Sequence, residues 1–239
     1  MLDIIAGQNL DRLKASDYPG RGIVIGLTPS GKEIVQIFWT MGRSANSKNR
    51  VIVKEGKRVK TRLYDKTLEA QREDLIIYNV TAHVDNVHII TNGRQTDTIC
   101  EYIANGSSFE DALYQWEYES DAPIYTPRIS GLAVVDGSES RYKLSIIKAI
   151  EQNPNLLSHQ FFSYKAAAPG YGHCVHTYSI TQEYMPFDGE PYRVRIFENI
   201  DEGAGFYWDI IPQDKRVALY IKHVDILGGE IKDRMLSIY

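Results

Sequence analysis

Four short segments in the first half of the chain concentrate groups that could hold a polar ligand. In Tyr18-Pro19-Gly20-Arg21-Gly22, glycines on both sides of an arginine would let the backbone approach a ligand while the guanidinium points at it. A turn entering a strand, with a solvated arginine, would use the same residues. Arg43-Ser44-Ala45-Asn46-Ser47-Lys48-Asn49-Arg50 carries cations, hydroxyls and amides without a carboxylate. Phosphate takes such forked donors, hydroxyls and backbone N–H groups, although the Gly-Lys-Ser/Thr ending of a Walker A loop is missing and a basic surface loop is the alternative. Tyr78-Asn79 offers a phenol beside an amide for a heterocycle or carboxamide. Thr91-Asn92-Gly93-Arg94-Gln95-Thr96-Asp97-Thr98 reads as a tight turn with Thr96 or Asp97 as a helix N-cap, whose N-terminus would favour an anion. Finally, Glu117 to Ile129 sets acidic residues, Glu119 among them, before Thr126-Pro127-Arg128. A carboxylate there could act as a base or orient an amide, and a surface ion pair is the plainer reading.

Other chemistry is poorly supported. The histidines show no metal-binding spacing, and Cys100 and Cys174 form no CxxC pair, so neither a metal nor a redox cofactor is expected and both thiols read as buried. Tyr178 and Tyr184 read as packing residues. With 27 basic against 31 acidic side chains, the chain lacks the basic excess that nucleic acid or an anionic membrane would favour. An RNA-binding reading, drawing on Arg43 to Arg50 and the tyrosines, also lacks an aromatic-basic motif. The opening residues have no unbroken apolar stretch of the signal-peptide kind, and a cytoplasmic protein is expected.

These segments need elements to position them. Residues 2–16 have helical apolar spacing and end at Asp17-Tyr18-Pro19-Gly20. Residues 22–27, 33–39 and 50–54 read as strands, with Pro29-Ser30-Gly31 as a hairpin tip; residues 75–80 and 84–91 read as two more. Helices are predicted over 96–104 and 108–118, then strands over 129–135 and 141–147 around Asp136-Gly137. After residue 154, strand-like runs at 192–197 and 216–221 either complete the first sheet or add strands beside it. Without a flexible linker, residues 1–239 are expected to form a single α+β domain.

Taken in order, YPGRG, RSANSKNR, YN, TNGRQTDTI and YESDAPIYTPRI resemble the archaeal-type IMP cyclohydrolase family over roughly residues 18 to 135. The resemblance implies a four-layer αββα sandwich similar to the N-terminal nucleophile hydrolase fold. Leu2 gives no nucleophile for self-processing. The implied reaction closes 5-formamidoimidazole-4-carboxamide ribonucleotide to IMP with loss of water. It implies Arg50, Tyr78 and Glu119 for the chemistry. Arg21, Arg43, Ser44, Asn49, Asn79, Asn92, Gly93, Thr96, Asp97 and Arg128 would hold the purine ribonucleotide, with no cofactor or metal. Arg94-Gln95 departs from the family's Ser-His, and residues from about 154 have no counterpart in the resemblance, as a lineage-specific extension would. The alternative is a noncatalytic purine-nucleotide-binding protein with a diverged pocket. The sequence leaves homo-oligomerisation open.

Overall fold

The helical spacing at the start forms α1 (Leu2–Lys14), which buries Ala6, Leu10 and Leu13 on one face. Strand β1 (Gly22–Leu27) turns through Pro29-Ser30-Gly31 into β2 (Glu33–Met41), with Gly31 at φ 70° in the left-handed region. A single turn, α2 (Ala45–Lys48), precedes the hairpin of β3 (Val51–Glu55) and β4 (Arg58–Arg62). Then come α3 (Glu73–Ile76), β5 (Asn79–Val84), β6 (Val87–Thr91), α4 (Gln95–Ala104), α5 (Phe109–Leu113), β7 (Arg128–Val135) and β8 (Ser140–Ala149). The chain finishes with β9 (Leu157–Tyr164), β10 (Tyr171–His176), β11 (Tyr192–Arg195), α6 (Ile200–Ile210), β12 (Arg216–Asp225) and β13 (Ile231–Ser237). This computed structural model describes residues 1–67, 73–137, 140–165, 168–180 and 184–239.

The strands make two antiparallel sheets, ordered β11-β10-β1-β2-β12-β13 and β3-β4-β5-β6-β7-β8-β9. Side chains alternate across each strand, so β1 sends Ile23, Ile25 and Leu27 into the layer between the sheets and Val24 to the opposite face. That inner layer meets Val80, Ile90, Ile129 and Leu144 of the second sheet. On the outer face of the first sheet, α1 and α6 cover Val35, Ile37 and Trp39; on the outer face of the second, α4 and α5 cover Ile89, Leu132 and Ile147. The result is helix, sheet, sheet, helix, with both sheets buried on two faces. This explains why the strands read as nearly continuous apolar runs. No helix among the described residues is long and apolar enough to cross a membrane.

Several sequence expectations change. Residues 75–80 do not form one strand: α3 occupies the start and β5 begins at Asn79. Residues 84–91 are divided by a turn in which Asp85 has φ 49°, and the real hairpin is β5 with β6. Helix α5 stops at Leu113 instead of running to 118, and α4 takes Arg94 as its N-cap residue, not Thr96 or Asp97. The turn opened by Asp136-Gly137 lies partly outside the described residues. Past residue 154, β9 joins the second sheet and β10 to β13 supply most of the first, with β10 paired to β1 and β12 paired to β2. Cys174 is fully buried, while Cys100 is only half-buried.

The glycines around Arg21 serve packing. A Cβ on Gly22 would lie 1.9 Å from the buried Trp39 ring, and one on Gly20, at φ 77°, would lie 2.2 Å from Thr177 Oγ1. Gly22→Ala therefore requires Trp39 to move within a filled core. Overpacking of that kind costs about 1–3 kcal/mol, and urea denaturation should show a correspondingly lower midpoint. An unchanged midpoint would mean that Trp39 relaxes without cost.

Candidate active site

The starts of β1, β5 and β7 and the ends of β2, β6 and β10 converge at one end of the sandwich. There Tyr18, Arg21, Arg43, Ser44, Ser47, Arg50, Asp121, Thr126, Tyr178 and Tyr184 line a cavity of about 330 Å³, within the usual size range of ligand sites.

Arg21 stands just before β1 and reaches across to Glu119, in the loop that leads to β7. The two make a bidentate ion pair, Nη1 to Oε1 at 2.5 Å and Nη2 to Oε2 at 3.1 Å, and Arg21 Nη1 also donates to the Asn92 carbonyl at 3.3 Å. Glu119 is 1% exposed. Burial works against the Arg21 charge, but the attraction and hydrogen bonding of Glu119 outweigh it and hold the guanidinium more firmly protonated than free arginine. Arg128 adds a second cation, 3.8 Å from Glu119 Oε1, and lies over the Trp116 ring. Gly93 leaves room for it, since a Cβ there would meet Arg128 Nη1 at 2.6 Å.

The Arg43 to Arg50 loop wraps into α2, where Ser44 and Ser47 form a capping box. Arg50 Nε donates to the Ser47 carbonyl at 2.8 Å, while Arg50 Nη1 and the Tyr78 hydroxyl are buried without a hydrogen-bond partner. Burial lowers the proton affinity of Arg50; Tyr78 and Glu119 oppose that effect and Arg21 reinforces it, so these groups share one electrostatic neighbourhood. The Arg43 guanidinium lies between Tyr18 and Tyr184, 4.3 and 3.9 Å from their ring centroids.

The fold thus brings Arg21, Arg43, Ser44, Arg50, Tyr78, Glu119 and Arg128 together. The other expected ligand contacts are framework. Asn49 exchanges hydrogen bonds with the backbone of Asp65, donating at 2.8 Å and accepting at 2.7 Å. Asn92 donates to Pro127 O and accepts from the Ile129 N–H and from Gln95, which in turn accepts from Arg128. Thr96 bonds Thr91 and the Asn79 carbonyl, and Asp97 is exposed, pairing with Arg58 and the Asn79 amide. Of the expected residues, Arg21, Arg43, Ser44 and Arg50 line the cavity; Tyr78, Glu119 and Arg128 do not, nor do these framework residues or Gly93. The departure at Gln95 is absorbed as a buried brace for Asn92 and Arg128.

Residues beyond the sequence expectation complete the wall. Tyr178 and Tyr184 do pack, but around the Arg43 guanidinium; Tyr178 also stacks on Tyr18 with centroids 5.7 Å apart. The Tyr178 hydroxyl is 2.6 Å from Thr126 Oγ1, and Thr126 Oγ1 donates to Asp121 Oδ2 at 2.5 Å. Because Thr126 spends its proton on Asp121, Tyr178 donates to Thr126, giving a chain that ends on a carboxylate. Burial raises the Tyr178 pKa. Tyr18, Asp121 and Thr126 lie within the YPGRG and YESDAPIYTPRI segments but are not among the expected site residues, whereas Tyr178 and Tyr184 lie far from them. Only the pairing of β10 with β1 closes the wall.

A buried ion pair broken on one side leaves an uncompensated charge. Glu119→Ala is expected to cost about 3–5 kcal/mol, and the double change Arg21→Met/Glu119→Leu should recover a large part of that loss. Urea denaturation of the single and double variants measures both; equal losses in the two would mean that Glu119 matters for something other than Arg21.

The sequence model of the IMP cyclohydrolase-like protein family matches residues 18–228, a span that contains every residue named around the cavity and runs through β9 to β12. On that match over most of its length, this chain belongs to the IMP cyclohydrolase-like protein family.

Proposed function

We propose that the cavity binds 5-formamidoimidazole-4-carboxamide ribonucleotide and closes its ring to IMP, in a cytoplasmic step of purine synthesis. The observation that carries this reading is the pair of buried donors, Arg50 Nη1 and Tyr78 OH, that no protein atom accepts from. Leaving a buried donor unmet costs about 1–3 kcal/mol, an arrangement that makes sense where a reacting atom supplies the acceptor. Family membership supports a cyclohydrolase-type reaction, and the αββα layering accords with a fold like that of the N-terminal nucleophile hydrolases.

In ring closure the carboxamide nitrogen forms a bond to the formyl carbon, and negative charge grows on the formyl oxygen. Arg50 and Tyr78 donate to that oxygen. The carboxamide nitrogen must lose one proton and the formamido nitrogen another, and the formyl oxygen leaves as water carrying both. Asp121 lines the cavity and accepts from the Thr126 N–H at Oδ1 and from the Thr126 hydroxyl, next to Tyr178, at Oδ2, whereas Glu119 is paired with a cation, Arg21, and does not line the cavity. Asp121 is therefore assigned to accept the carboxamide proton through Thr126 and Tyr178 and return it to the leaving oxygen, and Glu119 to position Arg21. Arg43, Ser44 and Ser47 make the wall that takes the phosphate. The engagement of both Glu119 oxygens favours one rival reading, a noncatalytic purine-nucleotide-binding protein that kept the cavity.

Turnover separates the two. Purified protein mixed with the formamido nucleotide should produce IMP, followed by ultraviolet absorbance. Arg50→Ala should lower kcat about a hundredfold or more, and Asp121→Asn by about a hundredfold. Nucleotide binding by calorimetry without any IMP formation would establish the noncatalytic reading. Turnover that survives Arg50→Ala in folded protein would remove Arg50 from the chemistry.

A further inference from the structure

At the opposite end of the sandwich, β12 sends Lys222 into the layer between the sheets. The residue is 3% exposed, and its amine donates to Thr81 Oγ1 on the other sheet at 3.1 Å. Lys222 lines a cavity of about 360 Å³ together with Lys54, Lys57, His83, Tyr220 and Asp233. An adjoining cavity shares His83, Gly229 and Ile231 with it and is lined by His88, which is 3% exposed and has Nδ1 buried without a partner. His83 and His88 face each other across the β5 and β6 ladder with ring centroids 5.5 Å apart.

The buried Lys222 amine has a hydroxyl, not a carboxylate, as its hydrogen-bond partner. Asp233 sits directly across the β12 and β13 ladder from Lys222, but its Oδ2 accepts from Lys54 at 2.5 Å and from the Tyr220 hydroxyl at 3.4 Å. Lys54 and Asp233 thus offset each other, and on the Lys222 side of the two joined cavities Lys57 and Lys222 face no further acid among the described residues. Asp233 is already paired, and Asp85 and Asp136 line only the His88 side. Burying a lysine against a hydroxyl is costly, and a multiply charged oxyanion would relieve both the desolvation of Lys222 and its repulsion by Lys54. We propose that these joined cavities bind a phosphate-type oxyanion, with the Lys222 amine at the floor and Lys54 and Lys57 at the rim, at a site separate from the candidate active site.

Proton linkage follows. Burial, partly offset by Asp233 and reinforced by Lys54, lowers the Lys222 pKa to about 7, and burial with Lys222 and His83 lowers that of His88 to about 3. Burial, Lys222 and Lys57 also lower that of His83, against Asp85. An anion binds the protonated amine best, so binding takes up protons near pH 7 and weakens as pH rises above it. Without anion the sign is also fixed. The unfolded chain holds the Lys222 proton up to about 10.4 and the folded chain releases it near 7, so the unfolded state binds more protons in that window and the stability of the wild type rises with pH relative to Lys222→Met.

The test is calorimetric titration with inorganic pyrophosphate at pH 7, in two buffers of different ionisation enthalpy. Arg43→Ala protein is used so that the first cavity does not contribute. One site with proton uptake is expected, weakened at least tenfold by Lys222→Met and severalfold by the exposed rim change Lys57→Ala, and weaker at pH 8.5 than at pH 6.5. A parallel titration with a nucleoside diphosphate tells whether the site prefers the free ion or a nucleotide-borne phosphate. No heat with either probe, or binding indifferent to both lysine changes, would overturn the site.

Discussion

The bidentate pair of Arg21 and Glu119 is the interaction on which the candidate active site depends. Arg21 enters the first sheet and Glu119 precedes β7 of the second, so one buried ion pair ties the ends of both sheets. Its burial is tolerable because the guanidinium fork satisfies both carboxylate oxygens and Arg128 adds further positive charge nearby. With that pair closed, Arg21 presents a cavity wall beside Arg43 and Arg50, and three guanidinium groups face a space bordered by Asp121. The balance suits an anionic nucleotide.

The two sheets supply different parts of the site. The first brings the aromatic wall, because β10 pairs with β1 in the register that sets His176 against Gly22 and leaves Thr177 and Tyr178 beside Arg21. The second brings the buried donors, since Arg50 precedes β3 and Tyr78 precedes β5, with Thr61 of β4 holding the Tyr78 backbone. The arrangement rests on packing: the glycines beside Arg21 leave the room that Trp39 and Thr177 fill.

Much of this was legible in the sequence. The β1 and β2 hairpin, the body of α4 and β7 followed from apolar spacing and turn residues, although the N-cap expected for α4 did not hold. The ordered motifs identified Arg21, Arg43, Arg50, Tyr78 and Glu119, which the fold gathers at one end. The asparagines were not separable in the same way. Asn49 and Asn92 sit in loops where an amide can serve either a ligand or an orphan backbone group, and here the backbone takes both. Tyr178 and Tyr184 carried no local signal, because their role arises from strand pairing across some 150 residues of chain. The split of residues 75–80 into α3 and β5 was hidden for a related reason: a short apolar run fits either helix or buried strand.

The central claim, that the cavity behind Arg21 holds a purine ribonucleotide with its reacting carbon at Arg50 and Tyr78, is tested most directly by a crystal structure of the protein with IMP. The account predicts difference density in that cavity, with the phosphate toward Arg43 and Ser44 and the C2 edge of the base about 3–3.5 Å from Arg50 Nη1 or the Tyr78 hydroxyl. IMP bound elsewhere, or in the cavity with C2 turned away from both donors, would contradict it.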